Sequence, residues 1–375
     1  MLTKGQQELL NGGNAFAFEL FKNITQADPG ANVFISPLSV ASSWSMLANG
    51  ASGETYNQIV TALGHKDYNM DEINNYYKYL FNSLYQVDPS VTMSMANSLW
   101  IQDGFPVYGT YKQNLSEYYD SESNIVDFSK TSTIKKINKW ASNKTNGLIP
   151  QVVTSADSKI KMMLANALYF EGQWKFPFTK EANKKDVFTC CNGVKKQIDY
   201  MIADIKFSYY DNDVTISALS YGNGTYQMVL LLPDENTDIQ TFINNLTWKK
   251  WDNWMTSANY DYEVKLKIPK FSDTYDAKGL MIPALQKMNV ELPFETNADF
   301  SKMSSSPLYI NRIISKSTID VNEYGTVAST VFVVPLYRTH TPSKGTIDMN
   351  LNRPFVYIIK EQSTNAILFM GVKNK

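Results

Sequence analysis

The stretch of residues 321–341, VNEYGTVASTVFVVPLYRTHT, combines the hydrophobic pattern of a buried strand with the ends of a loop. No charge lies between Tyr324 and Tyr337, and both faces of a strand here would have strong β-character. The stretch opens on a flexible step at Gly325 and runs through Pro335 into loop residues. Left exposed, it would be prone to aggregation. We therefore expect a strand that can lie either outside or inside a sheet. One face would carry Thr326, Ala328, Thr330, Phe332, Val334 and Leu336, and the other Val327, Ser329, Val331 and Val333.

Hydrophobic spacing elsewhere predicts a mixture of helices and strands. Residues 14–23 have the spacing of an amphipathic helix. Ser36 and the proline after it are typical of a helix start, and the largely apolar helix that follows should end at Gly50. Residues 135–148 form a second amphipathic helix pattern. Strands are expected at residues 33–35, 91–101, 161–178, 227–233, 264–271, 309–320, 355–360 and 366–372.

Composition sets loose bounds on the class of protein. The chain has 375 residues, 43% of them hydrophobic, and a net charge of −1. Its length would allow two or three domains, but no linker, repeat or low-complexity segment marks a boundary. The near-zero charge argues against nucleic acid as the main partner, and no apolar run is long enough to span a bilayer. Residues 1–13 carry no signal-peptide core, which a mature secreted terminus would also lack.

The residues that carry most enzyme and metal chemistry are scarce. Cys190 and Cys191 are adjacent, so we interpret them as two free thiols and not as a disulfide or metal site. The two histidines are His65 and His340, and His65 follows Gly64, where a surface or helix-capping role is the simpler interpretation. The local signatures of common hydrolases, phosphate binders and zinc sites are missing. We expect no metal site and no catalysis.

Two lysine clusters raise the question of a polyanion-binding cofactor site. Lys249 and Lys250 lie between two tryptophans, and four more lysines lie on or near one predicted helix. Charge runs on helices are usually solvated faces, and the net charge is near zero. We therefore expect no cofactor. The helix lysines are Lys135, Lys136, Lys139 and Lys144.

Several blocks of the sequence resemble the signature segments of the serpin family, and together they cover nearly the whole chain in order. The resemblance implies an α+β multi-sheet fold with three β-sheets and eight or nine helices. It also implies a single domain, residues 1–375, with residues 325–343 exposed as a reactive-centre loop. The blocks are NVFISPLSVASSWSMLANGASGET, MMLANALYFEGQWKFPF, VKLKIPKF, NADFSKM and RPFVYIIKEQSTNAILFMGV.

The resemblance also implies how an inhibitory member would act. In inhibitory serpins a serine protease cleaves the loop as a substrate, and the freed upstream segment inserts as a new strand into the central sheet, an established case of strand addition that disables the enzyme. Residues 325–339 would span about 50 Å at roughly 3.3 Å per residue. The implied hinge comprises Glu323, Gly325, Thr326, Val327, Ala328, Ser329 and Thr330.

Three residues of this segment depart from the inhibitory pattern. Val327 stands where the family often has Glu, Phe332 is bulkier than the usual inward residue, and Pro335 would lack a donor in a central strand. Gly325 and Thr326 fit an inhibitor. We therefore predict a suicide-substrate inhibitor of serine proteases. The alternatives are a non-inhibitory serpin, a cross-class inhibitor of cysteine proteases and, least favoured, an enzyme with an unrecognised site.

The family's loop spacing after Glu323 places the reactive bond between Thr339 and His340. Arg338 and Tyr337 are the alternatives, because a trypsin-like protease would select Arg338 and a chymotrypsin-like protease would prefer Tyr337. We expect a monomer whose partner is a trypsin-like or elastase-like serine protease, with no nucleic-acid partner. We also expect a secreted or extracytoplasmic protein whose signal is absent from this sequence, with an intracellular location as the alternative.

The resemblance further implies residues that support the opening of the central sheet. Ser36, Ser39 and Asn166 match a polar cluster beneath the opening, and Trp174 matches the aromatic residue at its top. Ser315 replaces a histidine that relatives often have on the neighbouring strand. We therefore expect the hydrogen-bond network that holds the sheet closed to be rebuilt or weaker in this chain.

Overall fold

A computed structural model describes residues 2–85, 87–210, 213–277, 279–326 and 344–375. Residues 327–343 lie outside the described residues, and with them the predicted hinge beyond Thr326 and the predicted reactive bond. Nine α-helices lie in the described part of the chain. They are α1 (Lys4–Ala27), α2 (Pro37–Ala48), α3 (Gly53–Ala62), α4 (Met70–Leu84), α5 (Gly109–Tyr119), α6 (Thr131–Lys144), α7 (Ile239–Asn244), α8 (Trp248–Ser257) and α9 (Met281–Gln286).

Three β-sheets accompany these helices. Sheet A contains, in spatial order, β11 (Phe271–Asp276), β12 (Lys316–Asn322), β13 (Gly325–Thr326), β4 (Met162–Gln173), β2 (Val91–Gln102) and β3 (Ser121–Val126). Sheet B contains β1 (Phe34–Ile35), β16 (Ile367–Lys373), β15 (Phe355–Glu361), β9 (Tyr226–Pro233), β8 (Val214–Ser220) and β7 (Ser208–Tyr210). Sheet C contains β14 (Thr346–Asn350), β10 (Glu263–Pro269), β6 (Lys195–Ile205) and β5 (Lys184–Thr189). The predicted α+β class with three sheets and eight or nine helices is confirmed.

Sheet B forms the centre of the core. Every residue of β9, β15 and β16 is buried, as expected for strands covered on both faces. Phe34 of β1 stacks on Phe369 with ring centroids 5.2 Å apart and on Tyr357 at 5.9 Å. This rigid layer supports sheet A, because Phe170 of β4 also contacts Phe369 at 6.4 Å.

Helix α2 begins where the sequence predicts. Ser36 is its N-cap: the Ser36 Oγ accepts a hydrogen bond from the Ser39 amide at 3.2 Å, and Pro37 takes the first helical position, where no amide donor is needed. The same Oγ donates to the Leu368 carbonyl at 2.9 Å, so the cap also ties α2 to β16. Helix α2 is thereby fixed to sheet B.

Three predicted strands have clearly different bounds in the structure, and one of them, expected at residues 161–178, ends at Gln173. The strand expected at residues 309–320 begins only at Lys316, and Tyr309 is half exposed. Residues 309–315 lie beside a gap in sheet A and so lack the neighbour that a strand requires. The strand expected at 264–271 is two strands, because Pro269 ends β10 in sheet C and Phe271 begins β11 in sheet A.

The expectation that His65 lies at the surface is wrong. Its side chain is 0% exposed, and its Nε2 donates to the Leu9 carbonyl at 3.1 Å. Gly64, with a φ of 70°, ends helix α3 and packs so closely on Gly12 of α1 that a Cβ on Gly12 would lie 2.6 Å from the Gly64 carbonyl oxygen. This close approach directs the next residue into the core.

We expect His65 to make the fold sensitive to mild acid. Burial lowers the pKa of His65 to about 4 from 6.5, only partly offset by the hydrogen bond to Leu9. Because the unfolded chain takes up the proton first, the free energy of unfolding is unaffected by the protonation of His65 above pH 6.5. It falls by about 3 kcal/mol as the pH decreases from 6.5 toward 4. Denaturant unfolding between pH 7 and pH 4 measures it. His65→Gln keeps a donor for Leu9 and should flatten the pH dependence; an unchanged slope would assign the effect to other groups.

Candidate functional site

The start of the predicted hinge enters sheet A as a short strand. β13 lies between β12 and β4 and pairs with both in antiparallel register. The register places Gly325 opposite Asn322 and Gln173, and Thr326 opposite Val321 and Gly172. The hinge therefore already forms the first residues of a strand between β12 and β4.

The position of Gly325 admits no side chain. A Cβ at Gly325 would lie 2.0 Å from the carbonyl oxygen of Gly172. Gly172 is itself confined, because a Cβ there would lie 2.7 Å from the ring of Tyr221. Two glycines at adjacent positions of the β13–β4 ladder thus let the hinge backbone approach β4 closely enough to pair.

Thr326 is buried against an aromatic pair. It is 3% exposed, and its hydroxyl lies 2.6 Å from the hydroxyl of Tyr221. Tyr221 stacks on Trp174 with ring centroids 4.4 Å apart and an interplanar angle of 18°. The Trp174 indole N–H donates to the Asn322 carbonyl at 2.9 Å, and its amide donates to the Tyr324 carbonyl at 2.8 Å. Trp174 therefore holds the turn at residues 322–324, just before the hinge strand. Tyr221 holds the side chain of Thr326, which points into the core.

Glu323 anchors the turn by a charged contact. The side chain is almost fully buried, and its Oε1 accepts hydrogen bonds from Lys270 Nζ at 2.9 Å and from Asn183 Nδ2 at 2.5 Å. Burial alone would raise the pKa of the Glu323 carboxyl, but the hydrogen bonds, including that from Lys270, outweigh it and hold the pKa below its usual value. Glu323 is therefore ionised at neutral pH, and Lys270 ties the hinge to the connection between β10 and β11.

Beyond Thr326, the facing edges of β4 and β12 have no strand partner among the described residues. A small cavity of about 20 Å³ lies there, lined by Thr326, by Leu168 and Phe170 of β4 and by Ser317 and Ile319 of β12. Farther from the hinge, a cavity of about 510 Å³ lies between β4, helices α2 and α6, and residues 307–317. Sheet A is thus open between these two strands.

The predicted sheet-opening residues occupy two places. Ser36, Ser39, Asn166 and Ser315 all line the large cavity, whereas Trp174 lies beside the hinge. Ser39 Oγ bonds Asn166 Oδ1, and Asn166 Nδ2 donates to Asn97 Oδ1 at 2.6 Å. The hydroxyl of Ser36 bonds elsewhere, to β16. The structure therefore joins Ser39 and Asn166 directly and brings Ser36 and Ser315 only to the same cavity.

Sequence reasoning missed three residues that contact the hinge. Lys270 lies in the block VKLKIPKF, but nothing in the sequence indicates its contact with Glu323 across 53 positions. Asn183 follows a short 3₁₀ helix, and Tyr221 follows β8. Their roles depend on tertiary contacts, and the pairing of Trp174 with Tyr221 is visible only after folding.

Comparison with known families identifies this architecture. The family model described as Serpin (serine protease inhibitor) matches residues 11–375. The chain belongs to the serpin family. A similar relative is bovine leukocyte elastase inhibitor, which is 30% identical over 97% of this chain and 98% of its own length.

Solved serpin structures share this fold. The thermophilic serpin tengpin in its native state is 29% identical, with a TM-score of 0.89 over 100% of this chain and 95% of tengpin. Tengpin in its latent state gives a TM-score of 0.85. Human thyroxine-binding globulin in complex with its ligand gives 0.87 at 25% identity, over 98% of each chain. This chain is thus more similar to the native than to the latent form of tengpin.

Membership of the serpin family limits the functions to be considered for this chain. Many serpins inhibit proteases and generally bind their targets, whereas others, such as thyroxine-binding globulin, are not inhibitors. At the family level serpins are not catalysts. The family has secreted and intracellular members. Among the residues described, no helix has the length and apolar character needed to cross a membrane.

Proposed function

We propose that this serpin is a suicide-substrate inhibitor of serine proteases. The observation that carries the proposal is β13, a hinge strand already paired with β12 and β4, with the open edges of both strands ahead of it. In this proposal a protease cleaves the loop, and residues after Thr326 extend β13 through sheet A while still bound to the enzyme. Glu323, Gly325, Thr326, Val327, Ala328, Ser329 and Thr330 act as the hinge.

Continuing the register of β13 predicts which residues would insert. Thr326 faces Gly172, so the next residue would face Glu171, and the first residue of β4, Met162, would face Leu336. Residues 327–336 therefore match the free edge of β4. They form the central part of the uncharged run that ends at Tyr337.

The alternation of this strand supports the same length. Thr326 points inward, so Phe332 would also point inward, opposite Asn166 of β4. Asn166 lines the 510 Å³ cavity, which has room for a bulky side chain. Pro335 would fall opposite Met163, beyond the end of β12, where a missing amide donor costs less.

Incubation with a panel of trypsin-like, chymotrypsin-like and elastase-like proteases tests the proposal. We expect a complex with at least one enzyme that survives denaturing electrophoresis, together with a released C-terminal fragment that mass analysis assigns to one bond. A catalytically inactive serine variant of the same protease is the control and should form no such complex. Cleavage without any complex across the panel would favour a non-inhibitory serpin, and a complex with a cysteine protease would indicate cross-class inhibition.

We propose Thr339–His340 as the reactive bond by family spacing, with Arg338 and Tyr337 as alternative specificity residues. An arginine satisfies a trypsin-like pocket through charge-assisted hydrogen bonds, so Arg338→Ala should reduce inhibition of trypsin-like enzymes at least about 100-fold and spare elastase-like ones. Association rates with both enzyme classes measure this. Lys135→Ala, which removes an exposed cation outside both the loop and the cavity lining, is the control. Equal inhibition of trypsin by the Arg338 variant and the parent would place the bond elsewhere.

The remaining assignments belong to the same proposal. Ser36, Ser39, Asn166, Trp174 and Ser315 support the opening of sheet A, since they line the gap or the hinge. Residues 1–375 form one domain that acts as a monomer, without a cofactor and without catalysis of its own. A trypsin-like or elastase-like protease is the partner, and the protein acts outside the cytoplasm.

A further inference from the structure

The large cavity beside β4 has the size and lining of a small-molecule site. Its volume of about 510 Å³ falls within the roughly 300–1,000 Å³ typical of ligand pockets. Helices α2 and α6 border it on one side, and β4 and residues 307–317 on the other. Many of its apolar lining residues are only partly buried, so the cavity presents apolar surface without a protein partner in the described part of the chain. These residues include Leu47, Met162, Leu164, Leu308, Ile310 and Ile313.

The charged residues that line the cavity are mostly basic. They are Lys159, Lys161, Arg312 and Lys316, with Asp157 as the single acid among them. The first three are exposed and so lie at the mouth. None of the four cations belongs to a salt bridge formed between described residues. Asp157 Oδ1 accepts a hydrogen bond from the Lys159 amide at 2.9 Å, and its single negative charge against the four cations leaves a formal excess of three positive charges in the cavity lining.

The walls favour an alkyl chain over a peptide. A peptide strand here could pair with β4, but its backbone groups on the opposite side would stay unpaired until residues 309–315 were drawn into β12. An alkyl chain has no such groups, and a carboxylate suits the forked guanidinium of Arg312. We infer that this cavity binds a long-chain carboxylate, with its tail along β4 and α2 and its headgroup at Arg312 and Lys316.

Such a ligand would also control the opening of sheet A. Its tail would occupy the space that Phe332, Val334 and Leu336 take if residues 327–336 insert. The binding itself does not rest on the proposed inhibition, because it concerns the intact chain without any protease. Failure of laurate to bind would leave the inhibitory mechanism intact, and absence of inhibition would leave the binding intact.

Calorimetric titration of the full chain with laurate, kept below its micelle concentration, tests the inference. We expect saturable binding at one site, and at least about tenfold weaker binding to the double variant Arg312→Gln/Lys316→Gln, which loses the charge-assisted bonds. Dodecanol and dodecyltrimethylammonium have similar tails without the anionic head, and the parent should bind both about tenfold more weakly than laurate.

Two further variants separate the cavity from nonspecific adsorption. Lys135→Gln/Lys139→Gln removes two exposed charges of α6 outside the cavity lining and should keep the parent affinity. Leu47→Trp fills the apolar end and should weaken laurate and dodecanol alike, with circular dichroism used to verify the fold. The inference is overturned if laurate binding does not saturate, or if laurate and dodecyltrimethylammonium bind with equal affinity. It is also overturned if the Lys135→Gln/Lys139→Gln variant loses as much affinity for laurate as the Arg312→Gln/Lys316→Gln variant.

Discussion

Thr326→Arg should convert this chain from a trap into a substrate, which is cleaved and released without a covalent complex. Thr326 is 3% exposed and bonds Tyr221, so an arginine there either buries a charge without an acidic partner or pulls the hinge out of sheet A. Either outcome costs several kcal/mol. Insertion competes with hydrolysis of the acyl-enzyme, and each 1.4 kcal/mol added to the insertion barrier shifts that competition about tenfold. We therefore expect the ratio of complex to cleaved product to fall at least about 100-fold.

Two matched variants isolate the effect of the inward position. Val327→Arg places the same charge one residue later, where strand alternation points it away from the core, and Thr326→Ser keeps the hydroxyl that bonds Tyr221. Both should keep most of the parent's complex, as judged by denaturing electrophoresis with a protease that the parent traps. If Thr326→Arg forms as much complex as the parent, the hinge does not enter sheet A during inhibition.

At Gly325 and Thr326 the structural requirements are local, so the sequence alone indicates them. Gly325 is needed where the backbone meets Gly172, and Thr326 is a small residue that fits a buried position. The contacts that hold the hinge were not predictable. Lys270 and Tyr221 reach it from a distant strand and a distant turn, and no local pattern indicates which lysine or tyrosine does so.

The segment 309–315 shows a second limit of local patterns. Its alternation predicts a strand, yet the structure has a strand only from Lys316. A strand is stable only beside a partner, and here the partner position in sheet A is open. The sequence pattern therefore describes what the segment can become when a neighbour is present. We expect residues 309–315 to extend β12 once residues 332–336 lie beside them.

Cleavage of the loop should raise the thermal stability of the whole protein. A cut after Arg338 or Thr339 frees residues 327–336 to extend β13, which gives the open edges of β4 and β12 their missing hydrogen bonds. It also buries Phe332, Val334 and Leu336, each worth about 1.5–3 kcal/mol. Such gains should raise the melting temperature by roughly 10 °C or more, as measured by calorimetry on intact and cleaved samples.

The Thr326→Arg variant provides the control for this rise, because it can be cut at the same bond while its hinge resists insertion. Cleaved Thr326→Arg should gain much less stability than the cleaved parent, whereas cleaved Val327→Arg should gain nearly as much. The comparison separates insertion from any general effect of cutting the chain, since all three samples lose the same bond. Equal melting temperatures for intact and cleaved parent would mean that residues 327–336 stay outside sheet A, and the open edges beside β13 would then serve a non-inhibitory serpin.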